Sequence, residues 1–320
     1  MTRMILRRLA TSIPTILLGT ILIFALRYLL PGGPVEAMLG GGAQGEISPE
    51  QIAALEERYG LDAPVPLQYW HWLTQVVQGD LGHSYYSQQS VTAVLSQRVF
   101  PSLELIVLSL LLSIVIGLTL GIIAAVRRDH ASGRAVRVAT GLGLSVPDFW
   151  LGAIAAGTLG LTLGIFPAVG FTPLSEGLGA NLYSVTLPAL VLSVVTGSFL
   201  ARHITSAMSA ALDSPYVRTA WAMGLPSRTI YLRCALRNAL GPVITLIPLA
   251  FAGLVGGTLL VETIFAIPGL GTEIMRSVTS QDYPVVQGIV LIVGVLVAVL
   301  NLLADVVLAF LDPRMRRAAA

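Results

Sequence analysis

Few residues of this 320-residue sequence have side chains that could carry out catalysis. All 19 basic residues are arginine, so the chain has no lysine for a P-loop or for a Schiff base. Its histidines are scattered, and neither a G-x-S-x-G nor an H-E-x-x-H motif occurs. The single cysteine, Cys234, excludes an intrachain disulfide and a cysteine-cluster metal site. We therefore expect no enzymatic activity, no metal and no cofactor bound by this chain itself.

The composition is that of a membrane protein. Apolar residues make up 55% of the chain and charged residues 11%, whereas soluble domains carry about 25% charged residues. A net charge of +2 gives no indication of nucleic-acid binding. Because a bilayer core needs roughly 20 apolar helical residues, six stretches qualify as spans: 9–30, 102–126, 138–165, 184–203, 242–266 and 285–311.

The arginines predict how these spans are oriented. They cluster before the first span, between the second and third, within 204–241 and after the last. The alternate loops hold only Arg58, Arg98 and Arg276. The excess of arginine on the cytoplasmic side of membrane proteins thus predicts that both termini and the 204–241 segment are cytoplasmic. The first apolar run is longer than a signal-peptide core, so we expect a retained span.

The predicted extracytoplasmic segment contains two helical patterns. Ser48, Pro49 and Gln51 form a helix-start signature, and Gly60 is the expected stop. Residues 65–79 then form an amphipathic pattern rich in aromatic residues. The segment is either a helical cap packed on the spans or a docking surface for an external partner, and both interpretations are compatible.

The 213–241 segment is unusual because it is polar and lies between two apolar runs. Ser214 and Pro215 predict the start of a helix, and Gly224 predicts a sharp turn before a second helix. A rigid two-helix knob of this kind could transmit force from a cytoplasmic partner into the membrane. The alternative is a solvated hairpin that only fixes topology.

Several polar or small residues lie inside the apolar runs. Asp148 follows Pro147 in the third predicted span, where a carboxyl group is costly. It either lines a transport path and meets a cationic group, or lies near the interface or beside an arginine. Asn301 and Asp305 share a helical face and predict hydrogen bonds between helices. A third set could line a pore or allow close helix packing: Gly253, Gly256 and Gly257.

The 213–241 segment resembles the EAA loop of ABC importer permeases. Arg218-Thr219-Ala220 stand at the E-A-A positions. Gly224 stands at the glycine of the loop pattern, and "LGP" at 240–242 stands at the end of that pattern. "DSPYVRTAWAMGL", "LLPGGP", "SVPDFWLG", "VETIFAIPGLGTEI" and "NLLADVVLAFLDPRMR" further resemble the first permease of the dipeptide/oligopeptide/nickel branch. Trp221 and Met223 depart from this pattern, since their positions are usually basic.

The resemblance implies an all-α integral membrane fold with six transmembrane helices. It would be a type I ABC importer (MetI-like) transmembrane domain with an extracytoplasmic helical segment after the first helix. The implied divisions are a cytoplasmic N-terminus and first helix at 1–30, the extracytoplasmic segment at 31–100, a permease core at 101–312 with a coupling loop at about 213–241, and a cytoplasmic tail at 313–320.

The resemblance also implies a function and partners. The chain would be half of a path for peptides, or for a nickel complex or oligosaccharide, in a bacterial inner membrane. A second homologous permease, two cytoplasmic ATPase subunits (or one fused ATPase) that bind ATP and Mg, and an extracytoplasmic substrate-binding protein would complete it. An ion-coupled secondary transporter without ATPases is the rival. The expected ATPase contacts are Tyr216, Arg218, Thr219, Ala220, Trp221, Met223, Gly224, Leu225 and Arg228.

Overall fold

The computed structural model describes residues 14, 17–25, 28 and 62–311, apart from the side chains of residues 305 and 308–311. The helix predicted at 48–60, half of the first predicted span and the 313–320 tail lie outside these residues. The chain forms two compact units. Among the described residues, the first unit contains 102–267 and the end of the last helix, and the second contains those from 14 to 101 together with 268–298.

Within the described residues, regular structure is helical apart from an isolated bridge between His83 and Ser90. The helices in chain order are α1 (Val65–Val77), α2 (Val91–Val126), α3 (Ala131–Ser145), α4 (Asp148–Ala155) with a π-helical continuation (Ala156–Thr162), a 3₁₀ turn (Leu174–Glu176), α5 (Leu178–Leu212), α6 (Pro215–Ala222), α7 (Ser227–Thr229) with a π-helical continuation (Ile230–Leu236), α8 (Arg237–Ile244), α9 (Ile247–Phe265), α10 (Leu270–Thr279) and α11 (Tyr283–Leu311).

Four of the described helices are long and apolar enough to cross a membrane: α2, α5, α9 and the Tyr283–Ala304 part of α11. They coincide with the second, fourth, fifth and sixth predicted spans, so these four predictions are confirmed. A fifth span results if α3 and α4 with its continuation count as one broken span. The total of six stays a prediction, because half of 9–30 lies outside the described residues.

The third predicted span, 138–165, is not a straight helix. Its two halves, α3 and the helix that begins at Asp148, meet at an angle of 99°. Proline disfavours the helical conformation in the residue before it, and Val146 is extended with φ −92° and ψ 124°. Pro147 itself has ψ 138°. The Val146–Pro147 pair thus ends α3 and places Asp148 at the start of a new helix.

The first unit is built around a close contact between α2 and α5. A Cβ added at Gly117 would lie 2.7 Å from the Leu200 Cβ, and one added at Gly121 would lie 2.7 Å from the Ile204 Cβ. The backbones can approach this closely only because glycine has no side chain. Leu200 and Ile204 are fully buried there and pack with Val243 of α8.

The second unit contains residues 17–25, α1, the start of α2, α10 and the start of α11. The predicted amphipathic helix at 65–79 is confirmed as α1, and its aromatic face packs on residues 17–25. The Phe24 ring centroid lies 5.5 Å from that of Tyr69 and 5.8 Å from that of Trp72. The Tyr69 hydroxyl is 2.9 Å from the Thr20 hydroxyl. This packing supports the helical-cap interpretation, while a docking role stays a prediction.

We expect Gly121→Ala to lower the thermal unfolding temperature of the purified protein, because the added methyl group would overlap Ile204. Overpacking of this kind typically costs about 1–3 kcal/mol. Gly141→Ala is the matched control, since a Cβ at Gly141 meets no atom within 4 Å and alanine favours helix. Equal transition temperatures for both variants in detergent would contradict the proposed close contact.

Candidate functional site

We call the predicted coupling segment the 213–241 hairpin. Its start is held by local hydrogen bonds. Ser214 occupies the N-cap position of α6 and Pro215 its first turn, as predicted. The Ser214 hydroxyl, however, does not cap α6, because it donates to the carbonyl oxygen of Ala211 at the end of α5. The bond therefore fixes the exit from α5 rather than the start of α6.

The turn between the two arms of the hairpin depends on Gly224, which has φ +73°. Its N–H donates to the Trp221 carbonyl at 3.0 Å, and the Leu225 N–H donates to the Ala220 carbonyl at 3.2 Å. These two bonds form a Schellman motif, in which a glycine in the left-handed conformation ends a helix. The predicted glycine turn is confirmed, and it gives the hairpin a defined angle.

The hairpin has a small apolar core of its own. Val217, Ala220 and Ile230 are buried together, and Leu225 packs against them. Across the arms, the Asn238 side-chain amide donates to the Tyr216 hydroxyl at 2.8 Å. A loosely solvated loop would have neither a core nor such cross-links, so the hairpin is an ordered structural element.

The tip of the hairpin exposes apolar side chains. Trp221 is 44% exposed and Met223 68% exposed. The Trp221 ring meets the Tyr231 ring edge-on, with centroids 6.0 Å apart, which holds the indole in place. The other predicted coupling residues also surround the turn: Tyr216, Arg218, Thr219 and Arg228 are exposed, Leu225 is half-buried and Ala220 is buried. These residues thus lie around the turn of the hairpin, and all of them except Ala220 and Leu225 are exposed.

The base of the hairpin is anchored to α2 and α5 through small side chains. Ala235 and Ala239 are buried against Ala125 of α2 and against Met208 and Ala211 of α5. Small residues allow this close packing of the hairpin base on the ends of both helices.

An ion pair joins the same two helix ends. Arg128 Nη1 donates to both carboxylate oxygens of Asp213 at 2.9 Å. These hydrogen bonds hold the pKa of the Asp213 carboxyl below its ordinary value, and the same partner raises the pKa of Arg128. The pair is exposed and contributes little stability, but it fixes the position at which the hairpin leaves α5.

Asp148 lies at the start of α4, beside α9. A Cβ added at Gly257 would be 2.8 Å from Asp148 Oδ2 and 3.0 Å from Leu192 Cδ2. Asp148 Oδ1 is buried, and no hydrogen-bond partner for it is present among the described residues. Asp148 takes part in none of the ion pairs among the residues that the structure describes. The sequence could not foresee that Asp148 and Gly257 are neighbours.

The other predicted path glycines do not contact Asp148. Gly253 and Gly256 are exposed on α9, and a Cβ at either position would meet no atom within 4 Å. Gly253 lies about one helical turn before Gly257, and Gly256 directly precedes Gly257 in the chain. Asn301 lies on α11 with an exposed side chain, whereas the Asp305 side chain is outside the described residues, so their predicted hydrogen bonding stays untested.

Comparison with known proteins identifies the family. A family model described as "Binding-protein-dependent transport system inner membrane component" matches residues 117–317. The chain belongs to this family. A second model, for the N-terminal part of such membrane components, matches residues 1–109. The protein is therefore a permease component of a binding-protein-dependent ABC importer and resides in the inner membrane.

Individual relatives agree with this assignment. A Brucella abortus (strain 2308) protein named as a peptide transport system permease protein is 37% identical over 316 residues, covering 99% of both chains. The glutathione transport system permease protein GsiC of Salmonella choleraesuis (strain SC-B67) is 35% identical over 312 residues, covering 98% of both. A chain from inward-facing structures of the MetNI methionine ABC transporter matches with a TM-score of 0.55 and 20% identity, covering 68% of this chain and 96% of that one. This likeness confirms the helical type I importer fold.

The permease also contains a buried carboxyl group that sequence reasoning missed. Glu262 of α9 is fully buried, and the Ser102 hydroxyl of α2 donates to its Oε1 at 2.5 Å. An acidic residue within an apolar run was the available signal, because such a group requires a partner in the membrane. We infer that this bond fixes α9 against α2, next to the left-handed Ala266 that ends α9.

Gly224→Val should destabilise the turn of this permease, because a β-branched residue at positive φ is strained by about 1–2 kcal/mol. Gly224→Asn is the control, since asparagine adopts this conformation more readily. Amide hydrogen exchange at Leu225 reports the bond to Ala220 directly, and we expect faster exchange in the valine variant only. Equally slow exchange in both variants would show that the turn does not need glycine.

Proposed function

We propose that this permease forms half of a peptide-import path that works by alternating access. A second homologous permease would form the other half, and two ATPase subunits, or one fused ATPase, would bind ATP and Mg on the cytoplasmic side. The solute would come from an extracytoplasmic binding protein, and both termini would be cytoplasmic. Peptide cargo is supported by the peptide and glutathione permeases among the relatives.

The ordered hairpin with an apolar tip is the observation that carries the coupling proposal. Trp221 and Met223 would insert into a cleft on the ATPase, and the arginines around the turn, Arg218 and Arg228, would contact its surface. Exposed tryptophan, methionine and arginine are typical of protein interfaces. Because the base of the hairpin packs on α2 and α5, movement of the ATPases would shift these helices between inward-facing and outward-facing arrangements.

Purification of the permease with its native neighbours in a gentle detergent tests both the function and the coupling surface. We expect ATPases and a second permease in stoichiometric amounts, with ATP hydrolysis stimulated by the binding protein. Each large apolar side chain buried in an interface contributes about 1.5–3 kcal/mol. The Trp221→Ser/Met223→Ser variant should therefore weaken ATPase association at least about tenfold.

Val77→Ser is the matched control for that variant, because Val77 is an exposed apolar residue of α1, in the second unit. Normal ATPase association of the Trp221→Ser/Met223→Ser variant would refute the coupling surface alone. A permease that purifies as a homo-oligomer without any ATPase would refute the importer and favour an ion-coupled transporter.

The strip of Asp148, Gly253, Gly256 and Gly257 is the proposed lining of the path. The open space over Gly253 and Gly256 leaves room for a solute or for the second permease. Asp148 supplies a carboxyl group whose buried Oδ1 lacks a partner among the described residues. Such a group is expected to face a cavity or a cationic partner, and the amino terminus of a peptide provides that cation.

Asp148→Asn should lower uptake of peptides with a free amino terminus by roughly tenfold or more, because a hydrogen bond to a charged group contributes about 1.5–3 kcal/mol. N-acetylated peptides should be transported as by the wild type. The thermal unfolding temperature should stay equal or rise, since the variant removes an acidic group from an apolar region. Glu176→Gln, a change of an exposed carboxylate, is the control. Unchanged uptake of both peptide classes would eliminate this role for Asp148.

A further inference from the structure

A polar cavity in the second unit is not used by the path or by the hairpin. It has a volume of about 170 Å³ and lies between the start of α2, α10 and the loop before α2. An engineered protein cavity of about 150 Å³ accommodates benzene, so this one is large enough for a carboxylate with a short aliphatic stem. On the proposed topology it opens on the extracytoplasmic side.

Two arginines line this cavity. Arg98 of α2 donates from Nε to Glu273 at 3.1 Å, and this is its ion pair within the described residues. The guanidinium of Arg276 lies over the Tyr86 ring, 5.3 Å from the centroid, and no carboxylate pairs with it in the part of the chain that the structure describes. Both side chains are thus held in place while guanidinium donors remain available.

The carboxylates that line the same cavity are already engaged. Asp282 is buried, and its Oδ2 accepts from the Ser84 hydroxyl at 2.5 Å while Oδ1 accepts from the Tyr85 N–H at 2.9 Å. Glu273 is engaged by Arg98. Among the charged groups of this lining, the guanidinium N–H donors are therefore the ones left to bind a ligand, and they match the planar geometry of a carboxylate.

We propose that this cavity receives an aspartate or glutamate side chain of the extracytoplasmic binding protein. The inference rests on the proposed function and adds to it a docking site and its chemistry. The cavity admits one side chain but not a whole peptide. Tyr86 at its edge is 67% exposed and Met275 beside Arg276 is 46% exposed, and tyrosine, methionine and arginine are enriched in protein interfaces.

Binding of the purified binding protein to the complete permease–ATPase complex in nanodiscs tests the docking site. Arg276→Gln should weaken binding about tenfold or more, as expected for the loss of hydrogen bonds to a charged group. Arg276→Lys should be intermediate, because lysine keeps the charge but not the two-pronged donor geometry. Arg134→Gln, which removes an exposed arginine of α3, should bind within about twofold of the wild type.

A charge swap identifies the partner residue. Arg276→Glu should abolish docking, and one Glu→Arg or Asp→Arg change on the binding protein should restore it. Wild-type affinity of Arg276→Gln would overturn the docking site and leave the importer function intact. Absence of binding by the wild-type complex would overturn both. Normal docking of Arg276→Gln, with reduced uptake only of peptides that have a free carboxyl terminus, would overturn docking and assign the cavity to the cargo.

Discussion

Lipid chains are as apolar as leucine, so membrane helices associate through close packing rather than through burial from water. The contact of α2 with α5 satisfies this requirement at Gly117 and Gly121, where the opposing Leu200 and Ile204 fill the space of a side chain. Other parts of the first unit attach to this pair. The hairpin packs on the ends of the two helices, and Glu262 joins α9 to α2 through Ser102.

Rigidity of the hairpin follows from several weak interactions that agree with one another. The Schellman turn at Gly224, the buried cluster around Val217 and the Tyr216–Asn238 bond each constrain a different part of it. The π-helical stretch Ile230–Leu236 lies between the turn and the anchor, and π-helical segments frequently occur at functional sites. A rigid tip on a closely packed base is what a coupling element requires.

The acidic side chains of the permease differ in whether their carboxyl oxygens have hydrogen-bond partners, and this difference separates structural from candidate functional roles. Glu262 and Asp282 are buried, and each accepts a hydrogen bond from a serine. Asp148 is only partly buried, yet its Oδ1 lacks a protein partner among the described residues. Buried polar groups normally have a partner, and this is why Asp148 is the carboxyl group that we propose meets a solute.

The sequence by itself determined the apolar runs that became α2, α5, α9 and α11, the amphipathic α1 and the turn at Gly224, because these depend on residues close together in the chain. Only the tertiary structure decided which faces of the helices meet. Three contacts join residues more than 100 positions apart in the chain: Asp148 with Gly257, Ser102 with Glu262, and Arg98 with Glu273 and Arg276 around one cavity. In apolar helices nearly every face is hydrophobic, so periodicity does not distinguish the face that packs from the face that meets lipid.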